Sequence, residues 1–376
     1  MLFGAVPVLA QEDEPLAPIE YKNTYSRGEI TNILVDDILD IGGFRQPYQK
    51  AEVRIVDGPD AGHTFTHDFQ LPVNHKEREK LREGEQVVVV KVMRGDEAEF
   101  YIAEKYRLPS VLLLFAGFTL LILLTAGWKG ISSLVGLSFS LLVIVEFMIP
   151  KIVAGWSPVW VSLLSGFAIL FVSLYMAHGF KKRTTIALVG TLITLVFSAV
   201  ASIAIASFTK LFGMGSDESI SLLQGQLQGL NLRGLYLAGI IIGALGVLDD
   251  ITTAQAATVD EIHRANPALS ISELYKRGLS VGHEHIASLV NTLALAYVGA
   301  SLPILLIFTK TDFPLWVIFN SEFLVEEIVR TLVGSAALIL AVPITTYIAA
   351  QVFGRDTNPA PIDHDDHGHS HAGHHH

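Results

Sequence analysis

The sequence predicts a membrane-embedded all-α bundle of about seven helices, preceded by a small extracytoplasmic all-β domain. Three observations predict it. Hydrophobic residues make up 51% of the 376 and charged residues only 17%, against about 25% in an ordinary soluble protein. The mean hydropathy is +0.46. The charge is also uneven, concentrated in residues 11–108, whereas residues 109–353 hold long apolar runs. The net charge of −11 excludes a nucleic-acid partner, which would need clustered Lys and Arg. With no cysteine, disulfides, zinc thiolates and cysteine nucleophiles are excluded too.

The chain divides by pattern into four parts: 1–19, 20–108, 109–353 and 354–376. The opening "MLFGAVPVLA" ends in a small residue before "QEDE" and resembles the end of a secretory signal, though short and without a basic start. Such a leader would place the next domain outside the cytoplasm. In 20–108, "AEVRIVDG", "HTFTHDF", "QVVVVKVM" and "EFYIAEKY" are β-branched or aromatic runs separated by turn signals such as "DGPDAG" and "RGDE". They predict a small barrel-like domain, with an OB-like barrel as one option. His63, His67 and His75 have no ligand spacing there and read as surface residues.

A bilayer core of about 30 Å needs about 20 apolar helical residues. Seven segments qualify: 109–127, 131–149, 154–178, 184–208, 234–250, 286–308 and 328–353. Lys129, Lys181, Lys182, Arg183, Arg264, Lys276 and Arg277 then fall on one side, against Lys151, Lys210 and Lys310, with Arg233 and Arg330 at helix starts. The bias places the β domain outside and the C-terminus in the cytoplasm of a bacterial inner membrane. Residues 213–231 read as a re-entrant or interfacial piece. In 251–282, Leu269, Ile271, Leu274 and Leu279 have the spacing of an amphipathic interfacial helix.

Polar residues among these apolar runs are the candidate site, because intramembrane acids usually serve a pathway. "GVLDDITTAQ" (246–255) sets Asp249 and Asp250 at the end of the fifth segment. Gly239, Gly243, Gly246, Asp250 and Thr253 share one helical face, so Asp250 is expected to point into the bundle along a glycine-lined packing surface. Asp249, about 100° around, is expected to turn aside. No proline follows before Pro267, so this helix can continue beyond the bilayer.

The sixth segment opens with His283, Glu284 and His285, expected beside the aspartates at the cytoplasmic level. Glu284, Ser288 and Asn291 form a polar stripe leading inward, and Thr253, Ser288 and Asn291 offer neutral ligands. Carboxylates and imidazoles together suit a transition metal or a proton relay. The spacing is not HExxH. At the last segment, Glu326 and Arg330 have ion-pair spacing, and Glu327, Arg330 and Gly334 are spaced to face the bundle. Pro303 and Pro343 mark potential breaks near hydroxyls. The tail "DHDDHGHSHAGHHH", with His364, His367, His369 and His371, suits loose metal binding.

"GALGVLDDITTAQAATVDEI", "GHEHIASLVNTLALAYVGASLPILL" and "NSEFLVEEIVRTLVGS" together resemble the YibE/F-like family of bacterial multi-span membrane proteins. The likeness is expected to cover nearly the whole chain, the β domain included. It implies a membrane location and a transport role, and brings no catalytic residues with it.

The functional expectation is a secondary transporter, an exporter or permease, for a small inorganic ion, with a divalent metal cation favoured as substrate and no resident cofactor. The acids and histidines would bind the ion or relay protons. The nearest rival is proton- or cation-coupled export of an inorganic anion such as phosphate, with Arg330 and helix N-termini contacting it. A sensor or assembly factor would need fewer spans. An intramembrane aspartyl hydrolase would need a second aspartate on another helix, so an enzyme is not expected. The expected partners are the bilayer and the ion, with homo-oligomerisation left open.

Overall fold

A computed structural model describes residues 23–355, apart from 42–43, 71–79, 95–96, 225–226, 228 and 311. The signal-like start, His75 and the histidine-rich tail lie outside the described residues. The chain forms two compact units, residues 1–120 and 121–376.

The first unit contains an antiparallel half-barrel of five strands: β1 (Thr24–Ile41), β2 (Phe44–Ile55), β3 (Thr64–Gln70), β4 (Gln86–Arg94) and β5 (Glu97–Lys105). The order is β3-β2-β1-β4-β5, so β1 lies in the middle and pairs with both β2 and β4. β1 is long enough to serve two neighbours because it bends, and its register slips at Ile30/Asn32 and Ile33/Val35. Alternating residues fill the concave face: Ile30, Ala51, Val53, Ile55, Val87, Val89 and Ile102. The edge strands β3 and β5 meet through rings, Phe65 with Phe100 at 5.5 Å and His67 with Tyr101 at 5.5 Å, rather than through a backbone ladder. His63 is exposed against Phe100 and His67 is half-buried. Burial holds the His67 imidazole below its ordinary pKa, opposed by Asp68.

The second unit is helical. α1 (Leu108–Leu142) starts in the first unit and breaks at Gly127, whose φ of 56° a side-chain-bearing residue rarely adopts. A π-helical turn (Val143–Met148) and α2 (Ile149–Val153) follow. Next come α3 (Pro158–His178), α4 (Lys182–Phe208), the short α5 (Asp217–Gln224) and α6 (Leu232–Ala265). The chain continues with α7 (Ile271–Ala300), α8 (Leu302–Phe308), α9 (Leu315–Phe319) and α10 (Glu322–Phe353). Among the described residues, six helices are long and apolar enough to cross a membrane: Leu108–Gly127, Gly130–Val153, Pro158–His178, Lys182–Phe208, Leu232–Ala265 and Glu322–Phe353.

Residues 286–308, expected as a seventh span, are not one of the six. They divide between α7 and α8 at Ser301, and α7 carries charge through its first half. The fifth segment does run past its aspartates, to Ala265. The interfacial helix expected in the second half of 251–282 is instead the opening of α7. Residues 251–265 complete α6, and 271–282 open α7 behind a capping box of Ser270 and Glu273. Its Leu274 is fully buried against Val259, Ala349 and Ala350, so it packs on protein. Helices α4, α6 and α10 form the centre, with Leu195, Ala199, Ile241, Leu248, Ala337 and Ala341 buried together. Residues 213–231 form no membrane-length helix. The described part is a loop and α5.

Candidate functional site

Hydroxyls and one carboxamide cross-link the central helices. Thr191 of α4 and Thr252 of α6 lie 2.6 Å apart, both fully buried, and each also lies within hydrogen-bond reach of a carbonyl of its own helix. One turn on, the Gln255 amide donates at 2.7 Å to the Gly278 carbonyl of α7 and at 2.7 Å to Thr346 Oγ1 of α10. The approach requires glycine: a Cβ at Gly282 would collide with Val342 and stand 3.0 Å from Gln255 Oε1. Four helices thus meet at one polar level. Sequence reading missed Thr191, Thr252 and Gln255, and it noted Thr345 and Thr346 only as hydroxyls near Pro343. Their signal was polar residues at spacings of three and four inside apolar helices.

Several buried oxygens at and around this level have no hydrogen-bond partner of normal geometry within the chain: Asp249 Oδ1, Thr253 Oγ1, Gln255 Oε1 and Thr345 Oγ1. Each such atom costs about 1–3 kcal/mol when deprived of water. Asp249 is only partly exposed, and the Thr253 hydroxyl one turn on is the polar group beside it.

The two aspartates therefore exchange their expected roles. Asp250 is exposed, as are Gly243 and Gly246 on the same face. The buried stripe of α6 runs instead through Ile241, Ala244, Leu248, Thr252, Gln255 and Val259. The lattice grouped the glycines correctly, but the face of α6 that meets its neighbours is the aliphatic one.

His283, Glu284 and His285 are exposed on α7, as are Ser288 and Asn291 further along it. The stripe is real, but it faces away from the bundle, because α7 packs through Leu274, Gly278, Gly282, Ile286, Leu289 and Leu293. Among the described residues, no three His, Asp or Glu side chains come together in a group that could hold a metal ion.

At the other end of the central helices, α10 begins with three acids. Glu322 Oε1 accepts from the backbone N–H of Phe212 at 2.6 Å, Gly213 at 3.0 Å and Met214 at 3.3 Å. Glu326, buried to 6% exposure, accepts from Gly215 N–H at 3.1 Å. Two carboxylates of α10 therefore pin the loop after α4. Arg330, expected to pair with Glu326, lies 3.4 Å from Glu327 instead and sits over the Tyr236 ring at 5.4 Å. The Tyr236 hydroxyl donates to the Glu326 carbonyl at 2.9 Å. A cavity of about 190 Å³ opens here, lined by Ser216, Ser219, Tyr236, Gly239, Glu326, Glu327 and Arg330. Gly334 is buried beside Leu293, as its spacing implied.

A model of the YibE/F-like protein family matches residues 114–355. The chain belongs to the YibE/F-like family. The match takes in the central helices, the Asp249–Asp250 pair, the α7 stripe and the acids of α10, and it leaves the β unit outside, where the likeness was expected to extend. Comparison with curated proteins and with solved structures gives no match.

Proposed function

We propose that this YibE/F-like protein is a secondary transporter of a small inorganic ion in a bacterial inner membrane. The observation that carries this reading is a set of buried oxygens without a hydrogen bond of normal geometry in the chain, inside helices of membrane length, with Asp249 and Thr253 close enough to act on each other. Asp249 Oδ1, Thr253 Oγ1, Gln255 Oε1 and Thr345 Oγ1 can accept from a proton or ligate a cation. A packed membrane core does not keep such groups for stability. Neutral and anionic oxygens favour a hard divalent cation as cargo. Asp249 binds the cation or relays its counter-proton, and Asp250 marks the open edge. The tail histidines, His364, His367, His369 and His371, would concentrate the metal at the cytoplasmic face.

In this reading α7 supplies a seventh crossing. Its Leu293 stands beside Gly334 of α10 and its Tyr297 hydroxyl beside Gly243 of α6, so it runs at the depth of two apolar helices. With seven crossings, the Lys/Arg bias supports a β unit outside and a C-terminus inside. An aspartyl hydrolase is disfavoured: the acid that acts on Asp249 is Asp250, its neighbour on the same helix.

One observation favours a second reading, an inorganic anion. Arg330 Nε is buried and makes no hydrogen bond, its nearest anion being Glu327 at 3.4 Å, and Arg330 lines the cavity with Ser216 and Ser219. Flux into proteoliposomes, screened over Mn²⁺, Zn²⁺, Mg²⁺, phosphate and sulfate, separates the two. Asp249→Asn is expected to abolish cation flux while leaving folded, monodisperse protein. Flux equal to wild type in that variant would remove Asp249 from the pathway. No flux of any ion would sink the transport reading itself.

A further inference from the structure

We propose that the outward polar stripe of α7 is the seam of a homodimer. The proposal rests on the membrane reading of α6, α7 and α10. Depth comes first. A Cβ at Gly334, well inside the α10 span, would stand 3.2 Å from Leu293 of α7. Gly282 closes against Val342 of α10 and Gln255 of α6. Residues 282–297 of α7 therefore run beside apolar helices, from the level of Gln255 towards the middle of the bundle.

Along this stretch Glu284, Ser288 and Asn291 share one face, and all three are exposed. They point away from α6 and α10, which α7 meets with its opposite face. A carboxylate, a hydroxyl and a carboxamide at this depth are poorly served by acyl chains.

The stripe is complementary to itself. Serine and asparagine side chains each donate and accept, so each can pair with its own copy. His283 and His285 flank Glu284 in sequence, offering imidazole N–H groups to a facing carboxylate. A two-fold axis along the membrane normal brings each residue opposite its own copy at equal depth. Glu284 then stands opposite Glu284, with the imidazoles of both copies flanking the pair, and Asn291 meets Asn291. Pairing would also bring together the acids and imidazoles of two copies, where the described residues of one copy gather no group of three that could hold a metal. A second copy is thus an occupant that matches the stripe at Ser288 and Asn291 and brings imidazole donors to the Glu284 level.

The chain has no cysteine, so single cysteines report neighbours without a background. Ser288→Cys and Asn291→Cys, in the full chain in native membranes, are expected to form disulfide-linked dimers on oxidation with copper phenanthroline. Ile339→Cys serves as control, on the exposed side of α10, and is expected to stay monomeric. Dimer in all three at equal yield, or in none, would overturn the proposal.

A second measurement does not depend on disulfide geometry. Asn291→Leu should lower the dimer fraction in mild detergent roughly three- to thirtyfold in association constant, read by mass photometry. An unchanged dimer, or a wild-type monomer, would mean that lipid or another protein covers the stripe. Neither readout involves flux. A failed transport assay and a failed seam are therefore told apart.

Discussion

The half-barrel and the helical unit treat buried polar groups in opposite ways. The half-barrel interior is aliphatic, and its buried polar side chain, Gln49 at 2% exposure, has both ends of its amide engaged. Leu81 N–H donates to Gln49 Oε1 at 2.7 Å, and Gln49 Nε2 donates to the Leu81 carbonyl at 3.4 Å. Every buried side-chain atom found without a partner lies in the helical unit, among the described residues. An open carboxylate or hydroxyl oxygen in a low-dielectric interior is costly, and the proposed transport function would give the helical unit a use for it.

That contrast can be broken in four places, in falling order of effect. The largest concerns packing at the polar level. Gly190 faces Thr345 so closely that an added Cβ would strike its hydroxyl. Gly190→Val should cost about 3 kcal/mol, seen as lost monodisperse protein and a lower Tm by scanning fluorimetry. Unchanged Tm would mean that α4 and α10 are less tightly joined than described.

Next is the satisfied amide. Gln49→Leu leaves the Leu81 backbone without its partner and should cost about 1–3 kcal/mol. Protease resistance of the β unit reads this. Wild-type resistance would remove Gln49 from its structural role.

The unsatisfied hydroxyl should behave differently. Thr345→Val removes an oxygen that bonds nothing in the chain. Stability should stay within about 1 kcal/mol of wild type or rise, while flux falls. A loss of stability as large as that of Gln49→Leu would erase the distinction between the two regions.

The smallest effect is electrostatic and on the half-barrel surface. Asp57 accepts from the Arg27 backbone and guanidinium at 2.6 Å each, which holds its carboxyl below its ordinary pKa of 3.8. The folded state thus binds this proton less readily than the unfolded chain. The stabilisation is full above about pH 4 and is lost as the pH falls through the folded value. Arg27→Met should flatten that acid limb of the β unit's melting curve. An identical limb would assign the dependence to other carboxylates.

The division into a β part and an apolar helical part was legible because each has its own period. "QVVVVKVM" and "EFYIAEKY" became β4 and β5, and the runs at 109–127, 131–149, 154–178 and 184–208 became apolar helices within a few residues. The site was legible only in part. Asp249, Thr253, Glu327 and Arg330 line or adjoin buried polar space, but Asp250 and the α7 residues do not. Helical spacing tells which residues share a face and leaves open which face meets a neighbour. Glu322 and the loop it grips are about 110 residues apart, a pairing to which no local pattern points.

The sequence by itself determined what kind of molecule this is. Apolar length, strand alternation and the motifs around Asp249, His283 and Glu326 carried the membrane class and the family. Only the tertiary structure decided which polar groups are inside. Burial depends on the neighbours a helix face meets, and those come from α4, α7 and α10 packing on α6 across long stretches of chain. The same packing turned Asp249 inward, left Asp250 at the open edge and set the α7 stripe on the outer face.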